Sequence, residues 1–306
     1  MKIDNLKAHL ALLFVNVLYG ASHVLAKGVM PEFLSPNVFI LFRVIGATAL
    51  FWLVISINGR EKIAKSDFAR LIACGLFGVA INQLFFFHGL NLSSAFNSGI
   101  IMALNPIMVV ILSFFLLKER ITLVRSIGII IGALGAILLT LKGATSKGDS
   151  ALGDLFLFIN SLSYAIYLVI VKPLMQRYKP LTVITWVFTF GLLFVLCFPP
   201  TIPQFLSTNY STFTSEIILK ISYVIIGVTF LTYLLTMYGL KYLSPTVSSS
   251  YIYTQPIMVI LFAWTFAMLR WSADYTGTIT LEKVGYMFII FFAVYLTSLK
   301  KRKLID

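Results

Sequence analysis

The 306-residue sequence predicts an all-α integral membrane fold, with ten transmembrane helices forming two inverted five-helix repeats. Three observations carry this. First, 59% of the residues are hydrophobic and 11% are charged, whereas a water-soluble domain carries about 25% charged residues. Second, the apolar residues gather in blocks close to 20 residues long, the length at which a helix crosses a bilayer; weak twofold alternation argues against a barrel. Third, the phrase "NPIMVV" at 105–110 returns as "QPIMVI" at 255–260. Aligned without gaps, 89–109 and 239–259 agree at eight of 21 positions, where composition alone gives roughly one or two. Five spans per repeat is an odd number, so the second copy enters the membrane from the opposite side. Such inverted repeats recur in secondary transporters, with the substrate site near the midplane between them.

The first segment, about 8–26, carries Asn16, Tyr19 and His23 and lacks a small-residue cleavage site, so it reads as a spanning helix and not as a removed leader. Asn16, Gly20, His23 and Lys27 recur at spacings of four, three and four, which is one helical face. A polar stripe of this kind faces protein or water, not lipid. The second segment, 37–57, opens behind Pro36, a favoured first-turn residue, and carries Arg43. Arg43 can snorkel to the interface, pair with Glu32 or contact an anionic substrate; the first two are ordinary structural roles, and it is assigned there. The third segment, 68–90, adds Asn82, Gln83 and His88. The fourth, 94–117, contains Asn105 and Pro106 near its middle. Proline removes a backbone donor and frees a carbonyl about one turn earlier, which is costly against lipid and useful beside a polar cavity. A packing kink, with the amide bonded to a neighbouring helix, is the competing explanation. The fifth segment, 123–141, presents Gly128, Gly132 and Gly135, a small-residue face for close packing within the fold or between protomers.

The stretch "KGATSKGDSA" is a polar linker, dividing a first unit at 1–141 from a second at 153–306, with 142–152 between. The sixth segment, 153–172, repeats the polar stripe with Asn160, Tyr164 and Tyr167. The seventh, 181–198, follows Pro180; Pro199, Pro200 and Pro203 then begin the longest loop. The eighth, 217–240, places Thr232, Tyr233 and Tyr238 opposite the polar positions of the third. The ninth, 245–268, starts at Pro245 and carries Tyr253, Gln255 and Pro256 as candidate cavity residues. The tenth is 281–299. Cys74 and Cys197 fall in different apolar blocks and are expected as buried free thiols.

The net charge of +13 reads as membrane orientation, not nucleic-acid binding, because Lys and Arg sit in short loops. With the N-terminus in the cytoplasm, 17 of these residues fall inside and 7 outside, so both termini are expected to be cytoplasmic in a multi-pass protein of the cytoplasmic membrane. All acidic residues lie in loops or near span ends, which disfavours ion coupling through a central carboxylate. There is no P-loop, no HExxH and no metal-ligand cluster, so no catalytic residue, cofactor or metal is expected. The expected partners are a small-molecule substrate and membrane lipid; monomer and dimer both remain open.

"ALNPIMVVILSFFLLKERITLVRSIGIIIGALGAILL" (103–139) resembles the EamA-like domain of the drug/metabolite transporter superfamily, in its mid-helix proline, its Glu119 at the helix end and its glycine-spaced fifth helix. "FRVIGATAL" (42–50) is similar to that family too. Glu119, in "KER", is read as a structural turn. The resemblance implies a carrier that exports small metabolites, amino acids or drugs, with a cavity lined by helices 1, 3 and 4 of each repeat. The second half departs from the pattern, because Leu269 stands where the first half has Glu119. An integral membrane enzyme or lipid-handling protein with a buried polar site is the alternative.

Overall fold

A computed structural model describes residues 3–27, 29–30, 33–59, 61–117, 122–143 and 150–298. Every regular element among them is helical. Eight long helices are apolar enough to cross a membrane. They are α1 (Ile3–Lys27), α2 (Pro36–Asn58), α3 (Lys65–Leu92), α4 (Ala95–Leu116), α6 (Ala151–Arg177), α7 (Pro180–Cys197), α8 (Ser215–Tyr242) and α9 (Pro245–Met268). Two more apolar helices, α5 (Leu123–Gly143) and α10 (Leu281–Ser298), pack along each other. Gly132 and Gly135 make that approach: a Cβ on Gly132 would stand 3.4 Å from Ala293, and one on Gly135 3.0 Å from Ile290. Buried Gly128 extends the same face. The small-residue stripe therefore works within the fold.

Local chemistry explains the helix ends. Pro36, Pro180 and Pro245 occupy first-turn positions, where a missing N–H costs nothing. Ser94 and Ser244, identical in the aligned repeat, are both N-caps: their hydroxyls accept from Asn97 N at 3.1 Å and Val247 N at 3.3 Å. At the far end of the preceding helices, two lysines do matching work. Lys27 donates to the carbonyls of Leu90, at 2.8 Å, and Ser93, closing the C-terminus of α3. Lys172 donates to Leu240 and, at 2.7 Å, to Leu243 at the end of α8. A cation there meets both the unsatisfied carbonyls and the negative end of the helix dipole.

The helix interruptions also come in pairs. α3 and α8 each contain a wide π-type turn, at Leu76–Ala80 and Val224–Leu231. Nothing in the sequence periodicity announces these. α4 and α9 break just ahead of their prolines, in a turn at 103–104 and a tight 3-10 turn at Tyr251–Thr254. The missing proline N–H explains the position, since the helix restarts at Asn105 and Gln255.

Packing crosses between the halves. Gly20 of α1 lies on Met258 of α9, Gly99 of α4 on Pro256, and Gly89 of α3 on Gly153 and Leu157 of α6. Gly239 of α8 lies on Leu12 of α1. The expected long loop contains a short helix, Thr201–Ser207. It is fastened to α2 by Ser35 Oγ and Asn37 Nδ2, which donate to Gln204 Oε1 at 2.7 and 3.0 Å. The expected linker is helical at both ends, and 144–149 lie outside the described residues. Glu119 lies outside them too. Cys74 is buried, but Cys197, at the end of α7, is exposed and corrects the expectation of two buried thiols.

Candidate functional site

A cavity of about 70 Å³ lies among the helices, several times the roughly 10–15 Å³ that a single water needs. α1 supplies Tyr19, Ser22 and His23, and α3 supplies Asn82, Gln83, Phe86 and Phe87. α6 contributes Asn160 and Tyr164; α8 contributes Val228 and Tyr233. Arg43 of α2, Met102 of α4, and Ile252 and Gln255 of α9 complete the wall. A smaller space of about 10 Å³ adjoins it, lined by Asn16, Thr236 and Ser248. Tyr19, Tyr164 and Ile252 line both spaces and so partition them.

Hydrogen bonds hold the wall. Asn160 Nδ2 donates to Asn82 O at 2.6 Å, tying α6 to α3. Tyr233 Oη donates to Gly78 O at 3.1 Å, a carbonyl inside the π-type turn of α3, and lies 3.2 Å from Asn82 Oδ1. Gln255 Nε2 donates to Asn16 Oδ1 at 2.8 Å. His23 Nδ1 lies 2.5 Å from Ser98 Oγ, whose hydroxyl donates to Ala95 O. One hydroxyl has one hydrogen, so the ring donates from Nδ1 and a neutral imidazole keeps Nε2 as an acceptor. The ring stands edge-on to Phe86 at 5.1 Å.

Several buried polar atoms of the wall find no partner among the described residues: both ends of the Gln83 amide, Asn160 Oδ1 and Gln255 Oε1. Buried polar atoms are ordinarily paired, so these atoms can meet a guest or water.

Arg43 differs most from its sequence expectation. Its side chain does not snorkel; the residue is 4% exposed and lines the cavity. Nε donates to Thr229 Oγ1 at 2.9 Å, and the guanidinium carbon stands 4.4 Å from the Phe87 ring centre. Thr229 in turn donates to Val224 O within the π-type turn of α8. Glu32 lies outside the described residues.

Other expected cavity residues are placed elsewhere. Asn105 is fully buried and donates to Ser161 O at 2.6 Å, so it ties α4 to α6. Pro106 is buried beside it, and Pro256 packs on Gly99. Asn16 reaches the cavity only through Gln255 and otherwise faces the smaller space. His88 Nε2 is 2.8 Å from Asn37 Oδ1, a link between α3 and α2. Tyr167 is enclosed, with Oη against Met237 Sδ at 3.3 Å. Tyr238 meets Tyr242 edge to face beside an outer groove, and Tyr253 packs toward Phe291 of α10. The sequence reading missed Ser22, Phe86, Phe87, Met102, Val228 and Ile252. Ser22 was findable, being three residues from Tyr19 and next to His23. The apolar ones carry no signal separating cavity wall from core.

This placement separates two amides that look equivalent in sequence. Asn105→Ala is expected to lower thermal stability by about 1–2 kcal/mol, because it removes a buried hydrogen bond between α4 and α6. Gln255→Ala is expected to change ligand affinity or flux per folded molecule instead. Parallel melting and flux measurements that move together in both variants would count against the distinction.

A family model for the EamA-like transporter family matches residues 6–141 and again 151–299. This chain belongs to the EamA-like transporter family. It is a multi-pass membrane protein of a family named for transport. Among curated relatives, an uncharacterized transporter of Archaeoglobus fulgidus is 31% identical over 49% of this chain, which spans about half (52%) of that relative. The uncharacterized transporter YetK of Bacillus subtilis is 28% identical over 74% of this chain and 68% of its own. A WAT1-related protein of Arabidopsis thaliana is 25% identical over 58% and 56%. One solved crystal structure, 19% identical, aligns over 98% of this EamA-like chain and 99% of its own with a TM-score of 0.62, which shows the fold alone.

Proposed function

We propose that this EamA-like protein is a secondary transporter moving a small organic metabolite outward across the cytoplasmic membrane by alternating access. The observation that carries the reading is the cavity: α1 and α6, and α3 and α8, all give it polar residues. Corresponding helices of the two units thus meet at one centre. In the proposed architecture ten helices cross the membrane as inverted repeats with both termini cytoplasmic. The paired lysine caps, paired N-caps and paired helix breaks support that symmetry. Two such halves can exchange roles to open the cavity to either side. The amino-acid, drug and related-metabolite substrates of the family resemblance are carried here as candidates. An enzyme or lipid-handling site is less well supported: among the described residues the wall has one imidazole and no carboxylate with which to share a proton.

The test is flux into vesicles reconstituted with the purified protein, screened across amino acids, organic acids and their amides. Saturable, counter-stimulated flux of at least one compound is expected. Flux that rises without saturation would identify a channel, and no protein-dependent flux for any compound would remove the carrier reading.

A further inference from the structure

The charge of the cavity constrains what enters it. Among the described residues, Arg43 is the one arginine or lysine on the wall and no Asp or Glu lines it. The polar contact that the described residues give Arg43 is a hydroxyl, that of Thr229. Of its N–H groups, Nε is bonded to Thr229 Oγ1. One face of the guanidinium rests on Phe87. A guanidinium offers five donors and cannot lose its proton. A fixed cation only 4% exposed is best matched by a bound anion. A carboxylate or similar planar anion fits its fork.

The remaining wall specifies the rest of the guest. Gln255 Oε1 and Asn160 Oδ1 are unpaired acceptors, which ask for a donor such as a hydroxyl. Tyr19, Phe86, Tyr164 and Tyr233 offer ring surface for an apolar or aromatic body. We propose that the occupant is a small organic monoanion with an aromatic or bulky apolar body and a hydroxyl-type donor, its anionic group seated on Arg43. An α-amino acid is a poorer match. Its ammonium cancels its carboxylate, leaving the cavity with the uncompensated charge of Arg43. This inference rests on the transporter reading for its biological sense, but its test does not.

Three probes share one skeleton: 3-phenyllactate, a hydroxylated monoanion; 3-phenyllactamide, its neutral counterpart; and phenylalanine, the zwitterion. Binding to the purified full-length protein is measured by thermal shift and titration calorimetry. Phenyllactate is expected to bind at least about tenfold more tightly than either of the others, the scale of one charge-assisted hydrogen bond. Arg43→Gln is expected to reduce the acid-to-amide affinity ratio to about one, and Arg43→Lys to retain a preference for the acid. Equal or better binding of the amide or of phenylalanine would overturn the proposal. So would a ratio unchanged in a folded Arg43→Gln protein, or binding of none of the three probes. If Arg43→Gln does not fold, the wild-type ranking and Arg43→Lys decide. Vesicle flux is measured separately. Acid-selective binding without saturable flux removes the transporter reading alone, whereas saturable flux that ignores probe charge removes this inference alone.

Discussion

Gly20→Leu is expected to prevent recovery of folded protein. A Cβ at Gly20 would lie 2.3 Å from Met258 Cβ and 3.2 Å from the Met258 carbonyl carbon. Real side chains do not approach so closely, and part of the obstruction is backbone, which cannot swing aside. α1 and α9 would have to separate along a contact that the cavity depends on, since Gly20 stands between Tyr19 and Ser22 while Met258 follows Gln255 in the next turn. Overpacking commonly costs about 1–3 kcal/mol and occasionally more. Backbone contact puts this site at the upper end, and even Gly20→Ala is expected to lower the melting temperature clearly. Gly277→Ala is the control, because nothing lies within 4 Å of a Cβ there. The measurement is the monodisperse fraction and unfolding midpoint in detergent. A Gly20→Leu protein that purifies and melts like wild type would show that α1 and α9 are not in this contact.

Tyr167→Ala is the second large effect, expected at about 3–5 kcal/mol, the usual cost of removing a fully buried aromatic ring. Tyr167 is 0% exposed, and its ring lies against Gly78, where a Cβ would be 2.5 Å from Cδ2. Its hydroxyl reaches only a thioether sulfur, a weak acceptor, so Tyr167→Phe should stay within about 1 kcal/mol of wild type. Tyr164, three residues earlier on the same helix, stands on the cavity wall. Tyr164→Ala is therefore expected to cost less stability and more binding. Comparable melting losses in the two alanine variants would collapse the distinction between packing post and wall.

These two tyrosines show where sequence reading works and where it stops. Helix positions were legible because hydropathy and proline placement act locally: Pro245 and Met268 bound α9 just where the apolar run and its proline indicate. Part of the sequence repeat has a local basis, since Ser94 and Ser244 are both N-caps, a position that favours Ser, Thr, Asp or Asn. Tyr164 and Tyr167 share one polar-looking stripe, yet three residues of helix rotate one toward the cavity and the other onto Gly78. Only the packing of α3 against α6 distinguishes them. Asn105 and Gln255 look like one device used twice, but α4 lays its amide on a backbone carbonyl of α6 while α9 presents its amide to the cavity. Arg43 was read as a structural residue that snorkels or pairs with Glu32, and the structure buries it instead of exposing its head. Its actual partner, Thr229, lies 186 positions away, in a π-type turn that no local pattern reveals.

A binding chamber with one fixed positive charge also bears on membrane voltage. A monoanion that leaves without a companion ion carries current. Moving one charge through 100 mV is worth about 2.3 kcal/mol, equivalent to a gradient of roughly fiftyfold. A cell interior held negative would then push such a solute out with no proton or sodium ion consumed. The resting potential would be the engine of export, and clamping it with potassium and valinomycin in vesicles would set the direction of flux.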